Sequence, residues 1–160
     1  MRYADIIYND IAAGDGLCVS FYTQGCPHRC KGCHNPETWS YDGGKEFKPE
    51  LINQIIDGLN AQGIDRSLCI LGGEPLCPEN LFLVALLIKN IKEQRPHTKI
   101  YIWTGYLYED LKNSASPHMD FILNNTDVLI DGPFIEELRD ITLPLRGSTN
   151  QRVLYKNIDF

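Results

Sequence analysis

Three cysteines on one short stretch are the residues of this chain best suited to do chemistry. Cys26, Cys30 and Cys33 follow a C-x₃-C-x₂-C spacing, and no fourth cysteine completes the run. Four cysteines are the usual set that closes a tetrahedral zinc site or an iron–sulfur cluster. Three thiolates can hold three corners of a cubane cluster and leave the fourth iron open. An open metal position can bind a substrate, as it does in catalytic zinc sites.

Other interpretations of the same stretch stay open at this point. Cys30 to His34 reads as C-x-x-C-H, the attachment pattern of c-type haem, but haem attachment requires export and no signal peptide is predicted. Cys30 and Cys33 alone could form a redox pair, which leaves Cys26 unexplained. A structural zinc site could recruit His34, His28 or a distant cysteine as its fourth ligand. A disulfide framework is not expected without a secretory signal.

A second stretch that could contact a ligand is Gly72-Gly73-Glu74-Pro75, which follows a predicted buried strand. Two glycines let the backbone approach a ligand closely. Carbonyl groups there, together with the Glu74 carboxylate, could accept hydrogen bonds from an ammonium group. Taken alone, this stretch is better interpreted as a turn that ends a strand, and it gains interest only from its pairing with the cysteines.

The composition limits the classes of function that the chain can have. Its 160 residues suffice for one domain with a real core. The net charge of −6 gives no support for a general nucleic-acid-binding role. The longest apolar run, Leu81 to Ile88, is far too short to cross a membrane. We therefore expect a cytoplasmic protein without a membrane partner, in which Cys18, Cys69 and Cys77 are buried thiols. Of these three, Cys77 alone could instead be functional, because it comes just after the Gly-Gly-Glu-Pro turn.

Strand and helix patterns alternate along the chain, which predicts βα units around a parallel sheet. Pro49 suits the first turn of a helix whose apolar residues repeat at three-to-four spacing as far as Leu59. A second helix must end before Pro96, and a weaker helical pattern begins near Leu107. The predicted strands are 3–8, 17–23, 67–71, 99–103, 128–131 and 152–155, and the two stronger helices are 51–59 and 79–94.

The units are too few for an eight-stranded barrel, so we predict an α/β chain folded as a single domain over residues 1–160, with a partial, open βα barrel. Four unusual stretches each follow the C-terminal end of a predicted strand. They are the cysteine loop, the Gly-Gly-Glu-Pro turn, Thr104-Gly105 and Asp131-Gly132. In βα folds this edge of the sheet carries the active site. The sequence therefore predicts that the four stretches share one site.

The cysteine spacing and the Gly-Gly-Glu-Pro turn together resemble the radical S-adenosylmethionine (SAM) superfamily. Most of the chain resembles one family within it, the activating enzymes of the anaerobic (class III) ribonucleoside-triphosphate reductase. The resemblance implies that the open barrel is of the radical SAM type. The matching stretches are 23–33, 35–39, 72–75, 103–106, 128–134 and 146–151.

The resemblance implies roles for individual residues. The three cysteines of the loop would bind one [4Fe–4S] cluster per chain, whose open iron chelates the amino and carboxylate groups of SAM. Gly72, Gly73 and Glu74 would hold the amino group of the methionine part. An aromatic residue usually precedes the third cysteine in the superfamily, and here that residue is Gly32. Adenine contacts are therefore expected partly from His34 and from the backbone of Gly32, Cys33 and His34.

Asp131 has two interpretations, because it lies at the end of a predicted strand. As a cofactor-binding residue it would contact the ribose of SAM. As a structural residue it would cap a turn, a common role for aspartate.

The resemblance also implies a function. The protein would be a radical SAM glycyl-radical-activating enzyme, an oxidoreductase that cleaves SAM reductively and uses the 5′-deoxyadenosyl radical to generate a glycyl radical. The implied partners are the large subunit of the anaerobic reductase and a low-potential electron donor such as flavodoxin. Two alternatives stay open: a non-catalytic iron–sulfur or zinc module, and a small radical SAM enzyme that acts on a metabolite.

Overall fold

A computed structural model describes all 160 residues of the chain. The strands are β1 (Arg2–Asp10), β2 (Cys18–Thr23), β3 (Lys45–Glu46), β4 (Ser67–Gly72), β5 (Ile100–Trp103), β6 (Val128–Asp131) and β7 (Arg152–Tyr155). The helices are α1 (Glu50–Leu59), α2 (Pro78–Gln94), α3 (Tyr108–Lys112) and α4 (Pro117–Asn124). All seven strands belong to one sheet, in the order β3-β1-β2-β4-β5-β6-β7.

The centre of the sheet is parallel and its two sides are antiparallel. β2, β4, β5 and β6 run parallel to one another, while β1 and β3 on one side and β7 on the other run antiparallel to their neighbours. A short loop joins β1 to β2, and only an antiparallel pair allows so short a connection. The expectation of a parallel sheet is therefore right for the centre and wrong for the sides. The sheet is open, and a partial barrel of the radical SAM type is not confirmed.

The long helices lie on one face of the sheet. The main core joins buried residues of β2, β4 and β5, such as Phe21, Ile70 and Ile102, to the apolar faces of α1, α2 and α4. Each strand turns alternate residues toward this core, because successive side chains of a strand point to opposite faces. None of the helices is both long enough and apolar enough to span a bilayer.

Loops cover the opposite face of the sheet. A second, smaller core there contains Cys18, Cys69, Tyr101, Val128 and Ile130. The side chains packed on this core come from loops, from strand ends and from β7, and include Ala13, Trp103 and Leu145. No helix fills this side, so the sheet keeps an open face from which a site can be built.

The sequence patterns identified most of these elements but missed two. α4 was not predicted, although Ser116 caps it with a hydroxyl that accepts a hydrogen bond from the Met119 N–H at 3.3 Å, and Pro117 takes its first position. Serine followed by proline is a recognised helix start, so this signal was present in the sequence. β3 has only two residues, both exposed, and forms solely because β1 offers an edge.

The helical core makes a prediction about stability. Leu87 on α2 is fully buried in the main core, whereas Phe82 on the same helix is 54% exposed. Leu87→Ala should lower the free energy of unfolding by about 2–5 kcal/mol, because a buried leucine leaves a cavity. Phe82→Ala is the matched control and should lower the free energy of unfolding by well under half as much. Urea denaturation of both variants tests this, and equal losses would contradict the packing described.

Candidate functional site

A cavity of about 870 Å³ receives residues from all four stretches at the C-terminal edge of the parallel strands. The cysteine loop contributes Cys26, Cys30 and Cys33, and the other stretches contribute the turn 72–74, the stretch 103–105 and Gly132. The expectation that these stretches meet at one place is confirmed. The cavity continues along the open face of the sheet, where Ala13, Leu71 and Leu145 also line it.

Backbone hydrogen bonds hold the cysteine loop at its base. The Gly25 N–H donates to the Thr38 carbonyl at 2.7 Å, and the Cys26 N–H donates to the Trp39 carbonyl at 3.1 Å. Within the loop, the Cys33 N–H donates to the Cys30 carbonyl at 3.1 Å. Gly32 has a φ of +74°, which is a conformation that glycine adopts without steric cost. The loop is thus a defined turn that presents its thiols to one cavity.

Only three of the six cysteines line this cavity. Cys18, Cys69 and Cys77 are fully buried away from it, so their prediction as buried thiols is confirmed. Two of these three thiols, Cys18 and Cys69, interact with each other. A hydrogen bond between them lowers the pKa of Cys18 to about 7 and raises the pKa of Cys69. Burial raises the pKa of Cys77 to about 11. None of these three thiols is available to complete a ligand set in the cavity.

The donor set of the loop fits a cubane cluster with one open iron. Three thiols, and no fourth cysteine, line the cavity. Burial raises the pKa of the Cys26 and Cys30 thiols, so cluster binding must displace their protons. The Asn35 N–H lies 3.4 Å from the Cys33 sulfur, and N–H groups directed at cluster sulfurs tune the reduction potential. No three cysteine, histidine or acidic side chains converge closely enough to hold a single metal ion.

The Glu74 carboxylate joins three of the four stretches. Its Oε1 accepts hydrogen bonds from the Leu76 N–H at 2.9 Å and the Thr104 hydroxyl at 2.7 Å. Its Oε2 accepts from the Gly105 N–H at 2.7 Å and lies 2.7 Å from His28 Nε2. The side chain is 1% exposed. Its lone pairs are therefore engaged by the protein, which leaves backbone carbonyls as the groups of this turn that can accept from a ligand.

The two glycines of the turn approach the cysteine loop rather than empty space. A β carbon at Gly73 would lie 2.3 Å from the Gly25 carbonyl oxygen, and one at Gly72 would lie 2.7 Å from the Thr23 nitrogen. Gly72 also has a φ of +105°. The predicted close approach is present, but its partner is protein backbone. A side chain at Gly73 would displace the backbone at the base of the cysteine loop, and one at Gly72 would displace the end of β2.

His28 has a fixed position between the cysteine loop and the β5 end. Its ring meets the ring of Tyr106 edge to face, with centroids 4.6 Å apart. A β carbon at Gly105 would lie 2.6 Å from the His28 ring, so only glycine leaves room for it there. Gly32 lies close to one side chain, because a β carbon there would lie 2.8 Å from Glu136 Oε1. Gly32 and His34 are both exposed and both line the cavity.

Asp131 lies outside the cavity. It is fully buried, accepts a hydrogen bond from Arg152 Nε at 2.9 Å, and accepts another from the Tyr108 N–H at 2.8 Å. The second bond holds the first turn of α3. This geometry favours the capping role over ribose binding, and its neighbour Gly132 takes the place at the cavity wall.

Several residues of the site were not identified from the sequence. Asn80, 5% exposed, donates to the carbonyls of Gln24 at 3.1 Å and Glu74 at 2.8 Å and so joins the cysteine loop to the Gly-Gly-Glu-Pro turn. The stretch 139–147 lines one wall of the cavity with Leu143 and Leu145 among others. An asparagine in the first turn of a helix is a recognisable signal, whereas the stretch 139–147 has no periodic pattern.

The Glu74 network makes a prediction about the site. In Glu74→Gln one oxygen becomes an NH₂ group, which faces donors and cannot accept their hydrogen bonds. We expect the free energy of unfolding to fall by about 1–3 kcal/mol, because buried donors lose their acceptor. Glu93→Gln is the control, since Glu93 is exposed on α2 and should change stability by less than about 0.5 kcal/mol. Urea denaturation under anaerobic conditions measures both, and equal effects would refute the role given to Glu74.

The chain matches known proteins over nearly its whole length. The family model described as 4Fe-4S single cluster domain matches residues 12–154. The anaerobic ribonucleoside-triphosphate reductase-activating protein of Vibrio cholerae is 38% identical over 152 residues, which cover 94% of this chain and 96% of that protein. The protein of the same name from Escherichia coli (strain K12) is 36% identical over 96% of this chain and 97% of its own length. The one from Enterobacteria phage T4 is 35% identical over 99% of this chain and 96% of its own length. The chain therefore belongs to the family of anaerobic ribonucleoside-triphosphate reductase-activating proteins.

Proposed function

We propose that this protein is the activating enzyme of an anaerobic ribonucleoside-triphosphate reductase and that it works by radical SAM chemistry. The observation that carries this proposal is the cavity that is lined by three thiols of a C-x₃-C-x₂-C loop and by no other cysteine. Membership of the family and the match to a 4Fe-4S domain support the cluster and the target. The cofactors are one [4Fe–4S] cluster and SAM, and a low-potential protein such as flavodoxin donates the electron.

Cys26, Cys30 and Cys33 hold the cluster in this proposal. When bound, the cluster and SAM would together supply the radical chemistry, the reductive cleavage of SAM that generates a glycyl radical on the reductase. The chain's own residues position these groups and keep water away. Cys30 and Cys33 belong to one turn closed by their backbone hydrogen bond, so two of the three thiols are already oriented together.

The turn at Gly72 to Glu74 positions the methionine part of SAM in this proposal. Its backbone is fixed in two ways, by the Glu74 N–H bond to the Gly25 carbonyl at 2.8 Å and by the Glu74 carboxylate network. A fixed carbonyl can accept from an ammonium group without reorganising when the ligand arrives. Gly32, Cys33 and His34 line the same cavity, and their backbone would contact the adenine. Groups held in place by packing in this way are what accurate positioning requires.

The alternative functions have less support. A non-catalytic iron–sulfur or zinc module needs no open cavity beside its ligands, and here the thiols share a cavity of about 870 Å³ with a fixed turn. A small radical SAM enzyme acting on a metabolite would have the same cluster site. The relatives, however, are named as activating proteins of the reductase, and they match this chain over nearly their whole length. A metabolite substrate would therefore set this chain apart from them.

The ligand assignment predicts which cysteines the cluster needs. Cys26→Ala, Cys30→Ala and Cys33→Ala should each abolish the absorption of the reconstituted cluster and the cleavage of SAM, because each removes one of three ligands. Cys69→Ala is the control, since this thiol is buried away from the cavity. Iron and sulfide content, visible absorption and 5′-deoxyadenosine formation measure the effect. Loss of the cluster in Cys69→Ala as complete as in Cys30→Ala would exclude the three-ligand assignment.

The target assignment predicts that activity depends on the reductase. With reductant and SAM alone, the protein should make little 5′-deoxyadenosine and no lasting radical. Addition of the reductase large subunit should produce a stable glycyl doublet in the EPR spectrum and oxygen-dependent cleavage of the reductase at that glycine. Consumption of a small metabolite in step with SAM, without a doublet, would favour the metabolite enzyme instead.

A further inference from the structure

Two isoleucines stand almost fully exposed beside the cavity. Ile141 is 84% exposed and lines the cavity, and Ile11 is 81% exposed between Asp10 and Ala12, which both line it. Single exposed apolar residues are common on protein surfaces and need no explanation. Two on separate loops that border one cavity are a different observation, because a protein that reaches into the cavity must contact its border.

The loop that carries Ile141 is held rigidly at its base. Arg139 and Ser148 form an antiparallel bridge, and the Asp140 N–H donates to the Gly147 carbonyl at 3.1 Å. Trp103 Nε1 donates to the Leu145 carbonyl at 2.6 Å and ties the loop to the end of β5. Ile141 is therefore exposed on an ordered loop.

The loop that carries Ile11 is fixed in a similar way. Asp10, which is 8% exposed, accepts from the Ala12 N–H at 2.8 Å and from the Ser20 hydroxyl at 2.6 Å. These bonds anchor the start of the loop to β2. Both isoleucines are thus presented on fixed supports, so a partner that packs on them meets a surface with little ordering cost.

The same wall carries two arginine side chains. Arg139 and Arg146 line the cavity beside Ile141. Arg146 Nη1 donates to the Gln151 carbonyl at 2.7 Å, so this side chain is held within the protein. Arg139 is exposed, and its guanidinium group is a hydrogen-bond donor that can reach the backbone carbonyls of a bound peptide. A peptide segment that places carbonyl groups between apolar side chains fits these features.

We propose that Ile11 and Ile141 form a two-sided docking surface for the segment of the reductase that carries the target glycine. The proposal rests on the proposed function, which requires the Cα of that glycine to enter the cavity. The isoleucines pack on apolar side chains that flank the glycine, while the guanidinium group of Arg139 donates hydrogen bonds to backbone carbonyls of the segment. The surface recognises the segment before any chemistry takes place.

The test varies both isoleucines and compares them with a matched residue. The variants are Ile11→Ser, Ile141→Ser and the double variant, and the control is Ile158→Ser. Ile158 is also 81% exposed, but it lies near the C-terminus and does not line the cavity. Glycyl doublet amplitude is measured against reductase concentration for each reconstituted protein. SAM binding is measured separately by the shift that SAM causes in the EPR spectrum of the reduced cluster, without the reductase.

The double variant should need about tenfold more reductase for half-maximal radical formation, and each single variant less than that. Its SAM-induced shift should stay as in the wild type, and the reductase concentration for half-maximal radical formation in Ile158→Ser should lie within about twofold of the wild type.

A double variant that behaves like Ile158→Ser would overturn the proposal while leaving the function intact. A lost SAM-induced shift would assign the loops to the cofactor instead. A dimer that dissociates in the double variant, with no change in half-saturation, would make a second copy of this chain the occupant. Absence of the doublet in the wild type at every reductase concentration would overturn the proposed function itself.

Discussion

The buried carboxylate of Glu74 is the interaction on which the rest of the site depends. Four donors from three stretches surround its two oxygens, and almost no solvent reaches it. A buried carboxylate is tolerated only where such donors satisfy it. Each donor is in turn fixed, because a backbone N–H or a short side chain has little freedom to move away. The positions of the cysteine loop, the Gly-Gly-Glu-Pro turn and the β5 end are therefore linked through one side chain.

Close backbone packing supplies the second constraint on the same stretches. The turn lies against the base of the cysteine loop so closely that neither Gly72 nor Gly73 could carry a β carbon. Asn80 donates to a carbonyl on each side of this contact. Hydrogen bonds and packing thus act together, and a change in either motif is transmitted to the other. This explains in physical terms why the cysteine loop and the Gly-Gly-Glu-Pro turn occur as a pair in this chain.

The sequence predicted the central strands and the main helices because each has a strong local signal. Buried apolar runs mark β4 and β6, and a three-to-four spacing marks α1. The meeting of four loops was also predictable, since parallel strands bring their C-terminal ends to one edge. The partners of Glu74 were not, because His28 and Gly105 lie 46 and 31 residues away in sequence and no spacing rule connects them. The protein neighbours of the two glycines were not predictable for the same reason, since spacing shows that backbone comes close but not which backbone.

The open face of the sheet follows from where the helices pack. All the long helices contribute to one core, so the opposite face has only loops to cover a small cluster around Tyr101. In a chain of 160 residues this arrangement concentrates apolar burial on one side and leaves the other side for a site. Loops are well suited to that side, because they can be held at their bases while their tips remain exposed. The Trp103 bond to the Leu145 carbonyl shows how this is done, because a strand residue of the sheet fixes a loop, and the loop then forms one wall of the cavity.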